Sequence, residues 1–155
     1  MHVVEGIHAR DRLFVVALAS GWAGIIHLSV VAEHLTAWWG YGAFFLAVGT
    51  AQLASGLVLV RHAPLWLVSA SAAGNAMVVL VYVASRTIGV RVGPEHAGHQ
   101  LEPSGPLDLA ATAAEVLLIA ALLPLLPARS RRLTVDLLLV CGLGLWLLRA
   151  AGRLG

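Results

Sequence analysis

The chain has 155 residues, 59% hydrophobic and 12% charged, with a formal net charge of +2 and a mean hydropathy of +0.87. A water-soluble domain carries about 25% charged residues, and a chain this short cannot hide so much apolar surface from water, so the composition excludes a soluble enzyme. All basic residues are Arg, which excludes a lysine Schiff base, and no basic run is long enough for nucleic acid. The expected fold is all-α: one integral membrane domain over 1–155, a polytopic transmembrane bundle of about five helices. Long continuous apolar runs, not alternating ones, argue against a β-barrel.

The first helix is expected over 13–34. Its apolar stretch, 13–32, is broken only by His27 and two serines, and it matches a hydrocarbon core of about 30 Å at 1.5 Å per residue. It is too long for a signal-peptide core, and no A-x-A cleavage site follows it. The second helix covers 38–60 and closes at Arg61-His62. The third covers 64–85, with Pro64 in the first turn, where proline is tolerated. A long polar loop, extracytoplasmic in the favoured orientation, runs from 86 to 106. The fourth helix, 107–126, starts near Asp108 and ends at Pro124 and Pro127; the fifth, 133–151, follows the Arg129, Arg131 and Arg132 cluster, a topology anchor.

A cytoplasmic amino terminus in the cell (plasma) membrane places Arg10, Arg12, Arg61, Arg129, Arg131 and Arg132 inside and Arg86, Arg91, Arg149 and Arg153 outside, as the positive-inside rule favours. Trp38, Trp39 and Tyr41 then belt the outer interface and Trp66 the inner one. The single cysteine, Cys141, has no intrachain partner and sits beside Gly142 and Gly144 as a small packing residue. Gly42, Gly49 and Gly56 recur every seven residues on one helix face, and Ser20–Gly24 and Ala70–Gly74 are spaced by four. Such faces let backbones approach closely in lipid, within one bundle or between copies, so the lipid bilayer is the expected partner and a homo-oligomer is compatible with the pattern.

Ionisable side chains inside a span cost roughly 2.5–3.5 kcal/mol on insertion scales and normally face the bundle interior. His27 and His34 are seven residues apart on the first helix, and Asp108 and Glu115 are seven apart on the fourth. The helices run in opposite directions, so His27 and Glu115 both fall about 10–13 Å from one end of the bundle, with His34 and Asp108 at its rim. Glu33 adjoins His34, and the long loop at the same end carries Glu95, His96 and His99 as a compact E-H-x-x-H. Imidazole with carboxylate suits a transition metal ion: Zn, Cu(II), Fe or Mn. Met77 is the only internal methionine, which argues against a Cu(I) pathway. Haem is disfavoured because only His27 lies well inside a helix. Gln52 and Asn75 read as hydrogen-bonding glue between helices.

The run Ser85-Arg86-Thr87-x-Gly89, then Gly93-Pro94-Glu95, Glu102, Asp108 and Glu115, preceded by His27 and Glu33-His34, resembles small uncharacterised multi-pass membrane proteins of high-GC actinobacteria. The resemblance spans most of the chain and implies about five helices with a polar loop after the third; it implies no activity. Three functions fit the residues. The favoured one is a membrane protein binding a transition metal at the extracytoplasmic end, through His27, His34, Glu33, Glu115, Asp108, Glu95, His96 and His99. The second is a metal-dependent or acid–base membrane enzyme, although neither H-E-x-x-H nor G-x-S-x-G occurs. The third is a transporter or accessory subunit of a larger complex using His27 and Glu115 as an ion or proton relay; five helices without a repeat weaken the transporter reading.

Overall fold

The computed structural model describes residues 2–89, 92–93 and 104–151, with side chains from residue 10 onward except that of residue 148. Every regular element among them is helical: α1 (His2–Ser29), α2 (Val31–Ala37), α3 (Trp39–Leu59), α4 (Leu65–Thr87), α5 (Pro106–Leu122), a 3₁₀ turn (Leu123–Leu125) and α6 (Ala128–Ala150).

Local chemistry explains most boundaries. The expected first helix is two elements, because the chain bends at Val30. Ser29 Oγ donates to the carbonyl of Ile26 at 2.7 Å just before the break, and the β-branched Val30 and Val31 follow it; the same bond by Ser55 and Ser85 leaves α3 and α4 unbroken. Trp38 is extended (φ −166, ψ 135) and alone connects α2 to α3. Pro64 precedes α4 with ψ 143. Pro124 supplies no N–H, and the last turn after α5 tightens to 3₁₀. The last helix starts at Ala128 rather than at 133, so the arginine cluster forms its first turns.

Four of the described helices are long and apolar enough to cross a membrane: Arg10–Ser29, Trp39–Leu59, Leu65–Thr87 and Pro106–Leu125. The expected fifth span corresponds to α6, which has the length, 23 residues, but also carries Arg129, Arg131, Arg132, Asp136 and Arg149.

The distribution of side chains is inverted relative to a soluble protein. Leu18, Trp22, Leu46, Met77 and Leu117 are exposed, whereas Ser20, His27, Gln52, Ser71, Asn75 and Glu115 are buried. Apolar surface outside and hydrogen-bonding groups inside is the arrangement that lipid selects, and the four long apolar helices are compatible with an integral membrane protein.

Helix α1 is central. It packs along α3 and α5, α5 packs on α4, and α6 packs on α4, whereas α3 and α4 touch only lightly. The α1–α3 crossing depends on glycine. A Cβ on Gly49 would lie 2.9 Å from the Gly24 carbonyl oxygen, and one on Gly56 would lie 3.1 Å from Ser20 Cβ; Gly42 is pressed by Leu35 of α2. The seven-residue glycine spacing therefore serves contacts inside the bundle. Gly74, of the Ala70–Gly74 pair, and Gly21, four residues after Ala17, meet nothing within 4 Å. At one end, Val16 and Ala19 of α1, Leu59 of α3, Val68 and Ala72 of α4 and Leu118 and Leu122 of α5 form a closed apolar core with Leu126. The other end, where α1 stops and α5 starts, holds the polar groups.

Gly49→Val places new atoms against backbone and is expected to destabilise the bundle by about 1–3 kcal/mol. Gly21→Ala, which meets open space, should be neutral or stabilising by up to about 1 kcal/mol. Unfolding of both variants in mild detergent measures the difference.

Candidate functional site

Four spans deliver one polar side chain each to a common depth: His27 from α1, Gln52 from α3, Asn75 from α4 and Glu115 from α5. All four are at least 95% buried, with relative exposures of 5%, 4%, 5% and 1%. Gln52 is the hub. Its Nε2 donates to Asn75 Oδ1 at 2.9 Å and to Glu115 Oε1 at 3.0 Å, and its Oε1 lies 2.8 Å from His27 Nδ1. Asn75 Nδ2 donates to the Ser71 carbonyl at 2.8 Å. The main chain of Gln52 is held as well, since its carbonyl accepts from Ser20 Oγ at 2.7 Å.

The direction of every bond in this chain follows from its end. A backbone carbonyl only accepts, so the Asn75 amide nitrogen faces Ser71 and its oxygen faces Gln52. The Gln52 nitrogen then faces Asn75 and Glu115, and its oxygen accepts from His27, so the His27 proton sits on Nδ1. His27 Nε2 is left facing Glu115 Oε1 at 3.6 Å. An unprotonated imidazole nitrogen and an ionised carboxylate would set two acceptors against each other in a buried place. One proton between them removes the conflict, held either as imidazolium with carboxylate or as imidazole with carboxylic acid.

Above the pair is an open-mouthed cavity of about 330 Å³ lined by residues of α1, α2, α3, α4 and α5. His27 and Glu115 line its buried end. Ile26, Phe44, Phe45, Val78, Val81 and Ala111 make most of its wall, and Trp38, Tyr41, Arg86 and Asp108 stand toward the helix ends. Arg86 Nη2 donates to Asp108 Oδ2 at 2.8 Å, and its guanidinium lies 5.0 Å from the Tyr82 ring centroid. The Gly105 N–H also donates to Asp108 Oδ2, at 2.9 Å, so Asp108 caps α5 and ties it to α4. Tyr41 donates to the Val92 carbonyl at 2.6 Å, and Gly93, with φ +105, lies against the Trp38 ring.

The expected site residues separate accordingly. His27 and Glu115 meet, as their matched depth requires. His34 lines the same cavity, but its Nδ1 donates to the Val30 carbonyl at 2.8 Å and its ring lies 4.2 Å from that of Phe45; Asp108 is held by Arg86 and Gly105 instead. Glu33 is exposed and away from the cavity. Glu95, His96 and His99 lie outside the described residues. Among the described residues, no three His, Cys, Asp or Glu side chains converge as a metal ion would need. Gln52 and Asn75 do bridge helices as expected, but they also orient the pair. The sequence signal for this was their placement near mid-span in helices that carry no other amide.

Gln52→Leu leaves His27 Nδ1, Asn75 Oδ1 and Glu115 without their partner and is expected to destabilise by about 1–3 kcal/mol for each group stranded. Asp108→Ala removes only a cap and a half-exposed ion pair, with an expected loss of about 0.5–2 kcal/mol. Thermal unfolding in the same detergent should rank Gln52→Leu as the more damaging change. Compared with known proteins, the chain matches no family model, no curated protein and no solved structure.

Proposed function

We propose that this multi-pass membrane protein works through an intramembrane acid–base site, the His27–Glu115 pair, which exchanges one proton with whatever occupies the cavity above it. The observation that carries this reading is the polarised chain from Ser71 through Asn75 and Gln52 to His27, which leaves His27 Nε2 facing Glu115 Oε1 at 3.6 Å.

A path across the whole membrane has less support. Beyond the pair, the bundle is filled by Val16, Leu59, Val68, Leu118 and Leu122, and the buried polar side chains described beside them, Ser20 and Ser71, are hydroxyls rather than titratable groups. Proton exchange is therefore one-sided, toward the cavity. In this reading α6 is a fifth span: residues 137–148 are uncharged, Leu139, Val140, Leu143 and Trp146 are exposed, and arginines collar both ends. The positive-inside bias puts the amino terminus in the cytoplasm and the cavity on the extracytoplasmic side.

The test is infrared titration of the protein in nanodiscs. Two groups that share a proton titrate as a pair. The Glu115 carboxyl band, assigned through Glu115→Gln, and the His27 ring band, assigned through His27→Gln, are expected to move through the same pH steps. Bands that titrate independently, each unaffected by substituting the other residue, would sink the reading. Elemental analysis separates the transition-metal alternative: a stoichiometric metal retained by the wild type and lost in both His27→Ala and Glu115→Ala would put a cation where this reading puts a proton.

A further inference from the structure

We infer that the cavity binds an uncharged, ring-bearing lipophile with a carbonyl or hydroxyl group, of the naphthoquinone or naphthol class, whose polar group meets the His27–Glu115 pair. This rests on the acid–base reading above and names the chemistry of its ligand.

Three observations point to that class. The first is charge. Inside the cavity, Arg86 is paired with Asp108 at 2.8 Å and His27 faces Glu115 at 3.6 Å. The Arg86, Asp108, His27 and Glu115 groups each face a partner of opposite character, and His34 on the same wall gives its Nδ1 proton to the Val30 carbonyl, so an ionic head group would be desolvated with little return. A neutral polar group loses far less. The pair suits it in either form, since its shared proton can be donated to a carbonyl or its acceptor can receive a hydroxyl proton.

The second is the wall. Phe44, Phe45, Trp38, Tyr41 and Tyr82 surround a space of about 330 Å³. Aromatic walls favour offset or edge contact with a planar ring, and apolar walls with a few convergent polar groups are the pattern of small-molecule sites. The third is the route. At the helix ends the opening is crossed by the Tyr41–Val92 hydrogen bond and by Gly93 on Trp38. The α3–α4 seam, by contrast, is lightly packed and carries a lateral groove that runs past Ala51, Ser55, Ala70, Gly74 and Val78. Val78 lines both groove and cavity. Ser71 Oγ, in a side chain 7% exposed, lines the groove without a hydrogen-bond partner among the described residues. The Gln52–Asn75 bond crosses the seam deeper in, so a lateral approach from the bilayer passes Val78 and avoids the polar end.

The experiment is equilibrium binding to the full chain in nanodiscs, with empty nanodiscs subtracting partition into lipid. The probes are menadione, 1-naphthol and, as the charged isostere, 1-naphthoate at pH 8. Saturable binding of the two neutral probes is expected, with 1-naphthoate at least ten-fold weaker. Glu115→Gln, which keeps the side-chain volume, should weaken the neutral probes at least ten-fold. Val78→Phe, which fills the space from a half-buried position, should abolish binding while the helical circular dichroism is retained. Binding of 1-naphthoate as tight as that of menadione, binding indifferent to both substitutions, or no saturable binding beyond empty nanodiscs would each overturn the proposal. Failure of the underlying acid–base reading is visible separately, because the infrared titration is made without any ligand.

Discussion

A primary amide buried in an apolar bundle has two hydrogens and an oxygen to satisfy, and no water to help. Gln52 resolves this by taking partners from three other helices: Asn75 on α4, Glu115 on α5 and His27 on α1. The arrangement of those four spans at this depth follows from that requirement. The close α1–α3 crossing at Gly24 and Gly49 brings His27 within reach of Gln52. The contact of α1 with α5 brings Glu115 to the far side of the same imidazole. Where α3 and α4 separate, the amide–amide bond between Gln52 and Asn75 spans the seam that side-chain packing leaves thin. A buried network of this kind holds its geometry only when every member is satisfied, and along the described chain from Asn75 through Gln52 to His27 the unsettled position is the one between His27 Nε2 and Glu115.

The two ends of the bundle divide the work. Small and branched apolar residues fill one end as a packed core, which gives the polar groups a fixed frame. The other end stays open as a cavity because large aromatics stand around it without filling it. The Arg86–Asp108 pair then has a structural task. It joins the end of α4 to the start of α5 and caps α5 at Gly105, so the cavity keeps its opening geometry without offering a bare charge.

The fold class and the inner pair were legible in the sequence, because both depend on counting. Apolar run lengths gave the helices, and depth from a common end matched His27 to Glu115. The same counting put His34 and Asp108 at the rim, and both line the cavity there, but each is bonded elsewhere. The bend at Val30 turns His34 onto a different helix, and Asp108 finds nearer partners in Arg86 and in the backbone at the helix start. Neither effect appears in a spacing argument, since one is a local break in the helix at Val30 and the other a contact between helices. Gln52 and Asn75 were legible as glue and illegible as an orienting chain, because bond direction depends on which carbonyl ends it. The expected fifth span was read from its apolar half alone, while the helix itself begins within the arginine cluster.

The central claim is that the network fixes the His27 proton on Nδ1 and leaves Nε2 to share a proton with Glu115. Nitrogen-15 NMR of the histidine ring, in protein labelled at histidine and compared with Glu115→Gln and His34→Gln, reads this directly. The account predicts an Nδ1 that stays protonated throughout the folded range and an Nε2 resonance that shifts when Glu115 is replaced. A His27 ring protonated on Nε2 with a bare Nδ1, unchanged by Glu115→Gln, would contradict it.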